Sequence, residues 1–226
     1  PPRYVGKYAE QDALITLKLW DNLSKKITQQ ECSSIFELEI DLLPVLFEMK
    51  TKGVRVDVEK AHQTKKDLTK IEKSLVQEIV KETGVTIEPW VATSVAKVFD
   101  AVGLPYSRTE KAGAPMFTKQ FLTNCSHPIA QKIVKIREIN KANTTFVDTI
   151  LEHSHNGRIH CDFHSLRSDG GGTVTGRFSS SNPNLQQIPA RDPEIKKLIR
   201  GLFIPEEGHK WGSFDYASQE PRWLVH

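Results

Sequence analysis

The sequence contains no run of about 18 apolar residues, the length at which a helix can cross a bilayer, so it predicts no membrane span. Cysteine is scarce: Cys32, Cys125 and Cys161 are odd in number and far apart. That spacing fits neither a zinc motif nor a disulfide framework, and a reducing cytosol is the expected compartment. The opening Pro1-Pro2-Arg3-Tyr4 has neither a starting Met nor an apolar signal region. It reads as an excised piece rather than a secreted precursor. Repeats and low-complexity tails are absent too. What remains is 226 residues, 38% of them hydrophobic, enough for one large domain or two modest ones with an ample core.

Charge is low overall but unevenly placed. The net value is +3, yet residues 50–141 hold 17 Lys and Arg against 10 Asp and Glu, an excess of +7, which leaves −4 elsewhere. A basic segment beside an acidic one suits a nucleic-acid grip next to a metal site. On charge alone a solvated helical surface fits as well.

Apolar periodicity predicts helices over residues 5–20 and 35–50, then a brief extended Val54-Arg55-Val56 after Gly53. Asp57 is placed to cap a long helix running to Glu82, with Leu68, Ile71, Leu75 and Ile79 as its core stripe and Gly84 as its stop. Thr93-Ser94 precede a short helix that ends at Gly103. Residues 106–116 read as a polar, flexible loop, and Pro128 opens a basic helix to about Glu152. His155-Asn156-Gly157-Arg158 is a hairpin-type turn, followed by a strand from Arg158 to Phe163. Gly170-Gly171-Gly172 marks a loop, Asp192-Pro193 opens a helix through Arg200, and Lys210–Tyr216 reads as a strand. The pattern is a helical basic arm followed by a strand-rich segment.

Two motifs carry the chemistry. Phe214-Asp215-Tyr216 ends the last predicted strand, and Ser218 is placed to cap a helix starting Gln219-Glu220-Pro221-Arg222. An aspartate there, beside a free carbonyl, offers hard oxygen to Mg²⁺, although a lone Asp is more often a cap or turn former. Upstream, Thr175-Gly176-Arg177-Phe178-Ser179-Ser180 sets one arginine among small residues, where its forked donors can reach phosphate or minor-groove acceptors. Asn182-Pro183-Asn184-Leu185-Gln186-Gln187 adds amides suited to the N3 and O2 acceptors that every minor groove presents. Alone, that stretch would be read as a polar surface loop. His160 and His164 flank Cys161 on an alternating strand and read as sheet residues rather than zinc ligands.

Taken together, T-G-R-F-S-S-S-N-P-N-L-Q-Q-I-P followed by D-Y-A-S-Q-E-P-R closely resembles the polymerase I-like, family A DNA polymerases in order and spacing. The likeness extends upstream. Leu38–Leu46 with Gly53-Val54-Arg55-Val56-Asp57 looks like the entry from palm to thumb, and Arg137 and Lys141 before Thr144-Thr145-Phe146 match the family's basic thumb helix. Tyr8-Ala9-Glu10-Gln11-Asp12 resembles the last motif of the attached 3′–5′ proofreading exonuclease. The family wording after the metal aspartate is Tyr-Ser-Gln-Ile-Glu-Leu-Arg; here Glu220 and Arg222 keep register while Ser218 replaces the glutamine. The long glycine loop at 168–173 is phage-like.

The resemblance implies an α+β fold: a mostly helical thumb plus the start of an antiparallel palm sheet, an incomplete polymerase I-like right hand. Residues 1–30 would be the C-terminal end of the exonuclease, 31–56 the palm entry helix, 57–157 the thumb, and 158–226 the N-terminal part of the palm ending at motif A. It also implies roles. Asp215 and the Tyr216 carbonyl would hold Mg²⁺, Glu220 would exclude ribose beside the incoming nucleotide, and Arg177 would bridge that nucleotide and the primer-terminal pair. Asn184 and Gln186 would touch the minor groove, Arg137 and Lys141 the duplex backbone. Asp12 would ligate an exonuclease metal, with Tyr8 orienting water. The implied partners are primer–template DNA, deoxynucleoside triphosphates, the remaining fingers and palm half, and the rest of the exonuclease, in the host cytoplasm if phage-encoded. Two-metal transfer needs a second carboxylate, which in the family lies beyond His226, so the isolated chain is expected to be inactive. A non-catalytic duplex-binding module that retains the thumb is the alternative.

Overall fold

The computed structural model describes residues 2–190 and 192–225. In chain order the elements are α1 (Pro2–Gln29), α2 (Ser33–Lys52), β1 (Val54–Arg55), α3 (Val58–Thr83), α4 (Ala92–Ala101), β2 (Ser107–Arg108) and β3 (Pro115–Met116). Then come α5 (Lys119–Asn124), α6 (Pro128–Lys141), a π-turn (Ala142–Val147), α7 (Asp148–Glu152), β4 (Ser154–His155), β5 (Arg158–Ile159) and β6 (Asp162–His164). The chain continues through β7 (Ser179–Ser181), a 3-10 turn (Leu185–Gln187), α8 (Pro193–Arg200) and α9 (Gln219–Val225). The fold is mainly helical with small antiparallel sheets, as the α+β expectation requires.

Two compact units emerge. One holds the residues up to Lys52 together with Phe163–Ser179, the other Gly53–Asp162 and the chain from Ser180 onward. In the first, α1 and α2 run longer than their apolar periodicity suggests and meet through Trp20 and Phe36, whose ring centres are 5.6 Å apart. Leu17, Leu43 and Phe47 remain exposed.

The second unit is organised by local chemistry that the sequence displays. Asp57 caps α3 by accepting from the Lys60 amide at 2.9 Å, and Gly84 ends it with φ +69°, a conformation that favours glycine. Gly53 is required more strictly. Its φ is +64°, and a Cβ there would lie 2.7 Å from the His160 ring and 2.8 Å from the Ile159 carbonyl. That close approach lets β1 pair with β5 in the register Val54↔Ile159 and Arg55↔Arg158. The Asn156-Gly157 turn, both residues at positive φ, returns β4 antiparallel onto β5. Like charges face each other at Arg55 and Arg158, and Glu206 relieves them: it takes a 2.8 Å contact from Arg158 and lies 4.0 Å from Arg55.

α6, the π-turn and α7 form one continuous rod antiparallel to α3. Its polar edge is a ladder: Lys132 bridges Glu78 and Glu82, Asn140 donates to Glu72 at 3.0 Å, Asn143 to Thr69 at 3.1 Å, and Lys65 meets Asp148 at 2.6 Å. Glu82 first, then Glu78, hold the Lys132 ammonium above its ordinary value, against a smaller opposing effect of burial. The sign follows directly. The bridge is whole at neutral pH and is lost only as pH rises past that raised value. Along the rod lie two cores. One gathers Phe99, Leu122, Ile129, Ile133 and Ile136 with Phe117; the other gathers Val56, Leu68, Val147, Ile150, Ile159, Ile199 and Leu202.

Several expectations change. The expected helix to Glu152 contains the π-turn, in which Asn143 is buried. α4 starts at Ala92 after Val91, and Ser94 lies inside it, where its hydroxyl accepts from the Glu88 amide at 2.8 Å. Residues 106–116 are not a free loop. Ser107↔Met116 and Arg108↔Pro115 pair, and Arg108 donates to the Gly113 carbonyl at 2.9 Å and the Tyr106 hydroxyl at 3.1 Å. The expected strand from Arg158 to Phe163 is split into β5 and β6, and Lys210–Tyr216 is not a strand. Trp211, Phe214 and Tyr216 are exposed there, and an extended segment becomes a strand only by pairing with another.

Arg137 is half-buried on the rod and turns its charge inward. Its Nε donates to the Pro89 carbonyl at 2.8 Å and its Nη1 to the Phe117 carbonyl at 3.0 Å, and burial lowers its pKa. It therefore joins the segment before α4 to the segment before α5. Arg137→Ala is expected to cost about 2–4 kcal/mol in urea unfolding, because it removes two charged hydrogen bonds and strands two carbonyls. Lys141→Ala, at an exposed position, should stay within about 0.5 kcal/mol.

Candidate nucleic-acid interface and metal-binding motif

The segment from Ser180 to Pro189 is held by its apolar residues and displays its amides. Pro183 is buried, and Leu185 and Ile188 pack on the core that contains Val147, Ile150 and Ile199. Asn184 and Gln186, offset by one position from those anchors, are exposed. Asn184 caps the 3-10 turn. Its Oδ1 accepts from the Gln186 amide at 3.1 Å and from the buried Ser180 hydroxyl at 3.0 Å. The Gln186 amide can only donate, which requires oxygen at that position and leaves Nδ2, a two-proton donor, with no hydrogen bond among the described residues. Arg200 Nε donates to the Pro189 carbonyl at 3.1 Å and ties α8 to the end of the motif, while Asp192 caps α8 through the Ile195 amide at 2.9 Å. The result is a donor on a rigid support, the element needed to test acceptors of either base-pair orientation in a minor groove.

Arg177 belongs to the other unit, in the loop between β6 and β7. That loop turns on Gly171 and Gly172, at φ +149° and +95°; a Cβ on Gly172 would come within 2.1 Å of the Leu166 carbonyl. Hydroxyls then fix the backbone. Thr173 donates to the Arg177 carbonyl at 2.7 Å and lies 3.2 Å from the Thr175 hydroxyl, and Ser179 accepts from the Gly172 amide at 3.0 Å. The Arg177 side chain is exposed. Tyr8 and Asp12, one helical turn apart on α1 in the same unit, are exposed as well.

Asp215 and Tyr216 precede α9 and line one concavity with Ala217, Gln219, Arg222 and Trp223. Glu220, in the first turn of α9, is not among the residues lining it. Ser218 sits at φ +53°, outside the extended conformation of an ordinary N-cap, and passes its carbonyl to the Arg222 amide at 3.1 Å. Asp215 is exposed and makes no ion pair with the described residues. Among the described residues no group of three or more His, Cys, Asp or Glu is assembled to hold a metal. The His160 ring packs beside Gly53 and the His164 ring beside Gly171.

The basic helix looks different in three dimensions. Lys132 and Lys135 are engaged, the latter by Glu194, and Arg137 points its donors inward. Glu194 also holds the Lys135 ammonium above its ordinary value. Lys141 is exposed and lines a groove with Phe146, Gln187, Ile188 and Asp192. The cations that sequence reading passed over are on α3: Lys66, Lys70, Lys73 and Lys81 are all exposed.

The family model of DNA polymerase family A matches residues 58–226, beginning with the first residue of α3, so this chain belongs to DNA polymerase family A. It is 35% identical over 236 residues to a DNA-directed DNA polymerase of Pseudomonas phage M6, a match spanning all of this chain and 35% of that protein. DNA polymerase DpoZ of Salmonella phage PMBT28 is 32% identical over 244 residues, again across the whole chain and 39% of the relative. Among solved structures, the POL domain of Pol1 from M. smegmatis, in complex with DNA primer-template and dNTP, superposes with a TM-score of 0.69 at 26% identity. That match covers 86% of this chain and 34% of the other. The chain thus spans well under half the length of these relatives. No described helix is long and apolar enough to cross a membrane.

The Asn184 geometry separates support from display. Asn184→Ala removes a cap and should cost about 1 kcal/mol in urea unfolding. Asn184→Asp keeps both accepted bonds and should unfold within about 0.5 kcal/mol of the parent, although it carries no outward donor.

Proposed function

We propose that this chain is the thumb and the first part of the palm of a DNA-directed DNA polymerase. The parent protein would add deoxynucleotides to a primer 3′ end and carry a 3′–5′ proofreading exonuclease. What carries the reading is the Asn184 loop: in a family A chain, a saturated amide oxygen faces in and a free amide donor faces out. Primer–template DNA and deoxynucleoside triphosphates are the partners this implies, together with the remaining palm, fingers and exonuclease, in the host cytoplasm if the gene is a phage's.

Each element contributes a share. Asn184 and Gln186 test the minor-groove face near the primer terminus by shape, without reading sequence. Arg177, on its hydroxyl-braced loop, spans the terminal pair and the incoming nucleotide. Lys141 meets the duplex backbone, and Arg137 supports that region from within. The Asp215 carboxylate and Tyr216 carbonyl are exposed hard oxygen donors, the carboxylate makes no ion pair among the described residues, and they fit this chain's share of a Mg²⁺ shell. When bound, such ions offset charge that develops on the transferring phosphate. Glu220 occupies the space beside the sugar's 2′ carbon and so excludes ribose. On α1, Asp12 and Tyr8 belong to the exonuclease, as metal ligand and water-orienting hydroxyl.

Primer extension with the protein in its natural flanking sequence tests this reading. Asp215→Ala should lower nucleotide addition by two to three decades, the scale of about 3–4 kcal/mol for a lost transition-state contact, while DNA affinity stays near the parent's. Equal loss of binding and addition would remove Asp215 from the chemistry. Glu220→Ala should raise ribonucleotide incorporation relative to deoxynucleotide. Unchanged sugar discrimination would show that the motif's register is assigned wrongly.

A further inference from the structure

On α3, the side chains at His62, Lys66, Lys70, Lys73, Gln77 and Lys81 recur at steps of three and four residues. At about 100° per residue they share an arc of roughly 100°. All six are exposed. The buried residues of the helix, Ala61, Thr64, Leu68 and Ile79, lie on the opposite side, toward α6.

Charge on this helix is segregated. Three of its acids are drawn away from the stripe: Glu72 accepts from Asn140, and Glu78 and Glu82 hold Lys132; Asp67, next to the stripe's edge, accepts from Gln63. Glu59 alone shares the stripe's direction, in the first turn, where the helix dipole favours an acid. The four lysines have no ion pair or hydrogen bond among the described residues. Solvated helix faces usually mix both signs; this one places four unneutralised ammonium groups along about 22 Å of helix axis. A single strand of duplex presents roughly six phosphates over that length.

We propose that this outer face of α3 is a phosphate-binding surface for a nucleic-acid strand, separate from the contacts on the α6 side. The proposal rests on the polymerase reading above and adds a second track to it. The chemistry recognised is the phosphodiester backbone, from either upstream duplex or a single-stranded overhang.

The triple variant K66Q/K70Q/K73Q tests it, made in the protein with its natural flanking sequence. Glutamine retains helix propensity at exposed positions, and an unchanged urea midpoint verifies folding. Affinity is measured against salt for two primer–templates, one lengthened in duplex and one in single strand. On at least one of them the slope of log K against log salt should become shallower by no less than one contact, about 0.9 for duplex or 0.7 for single strand. The substrate that responds identifies the strand. A smaller change on both overturns the proposal, including the case in which the stripe serves an acidic protein instead. A parent that binds neither DNA overturns the polymerase reading as well, whereas a binding parent with an unmoved slope overturns the stripe alone. The companion K66R/K70R/K73R should retain the parent slope, because the charge is kept; loss of slope there also counts against phosphate binding.

Discussion

The antiparallel seam between α3 and the rod formed by α6, the π-turn and α7 is the constraint on which the second unit depends. Apolar residues close its centre, while Lys132 with Glu78 and Glu82, Asn140 with Glu72, Asn143 with Thr69 and Lys65 with Asp148 set its register. Surface ion pairs contribute little singly, so the ladder's value is in register rather than in stability. A slip of one turn would unpair every rung and separate the two cores that the rod joins. At one end the rod supports the aromatic core around Phe99; at the other it supports β1, β5, α8 and the Asn184 loop.

This seam also decides where charge appears. Glu78 and Glu82 of α3 neutralise Lys132 of α6 across it, and Glu194 takes Lys135, so the segment's positive excess is not spread evenly over its surface. It emerges on the side of α3 turned away from the seam. Counting charge over residues 50–141 detected the excess but could not say on which face it emerges. Long-range pairing, the property that moves it, has no local signature. Arg137 is the sharpest case: its spacing resembles a backbone-tracking residue, but burial leads it to two carbonyls.

What was legible in the sequence had local causes. Asp57 and Asp192 as caps, Gly84 as a helix stop and Asn156-Gly157 as a turn each follow from side-chain reach or from a positive φ, and neighbours within a few residues decide them. What was not legible depended on distant partners. The 106–116 hairpin has two-residue strands, too short for alternation to register, and Arg108 closes it by contacts invisible in a periodicity. The π-turn differs from an α-helix by one residue and leaves no compositional trace. Lys210–Tyr216 has strand-forming residues but no paired neighbour, so its propensity has nothing to act on.

The site follows the same division. The order of residues in the two motifs identified them, and the structure supplies the reason for that order in one of them. In Asn184-Leu185-Gln186-Gln187-Ile188, apolar anchors and polar displays interleave, so that burial of Leu185 and Ile188 forces the intervening amides outward. The donor-only Gln186 amide then selects which end of the Asn184 side chain faces out, and the buried Ser180 hydroxyl adds a second bond to the same oxygen. An alanine at 180 would remove one of the two bonds to that oxygen, while the Gln186 amide would still require oxygen to face the loop. The orientation of the displayed amide therefore traces to a backbone donor two residues on and a buried serine four residues back.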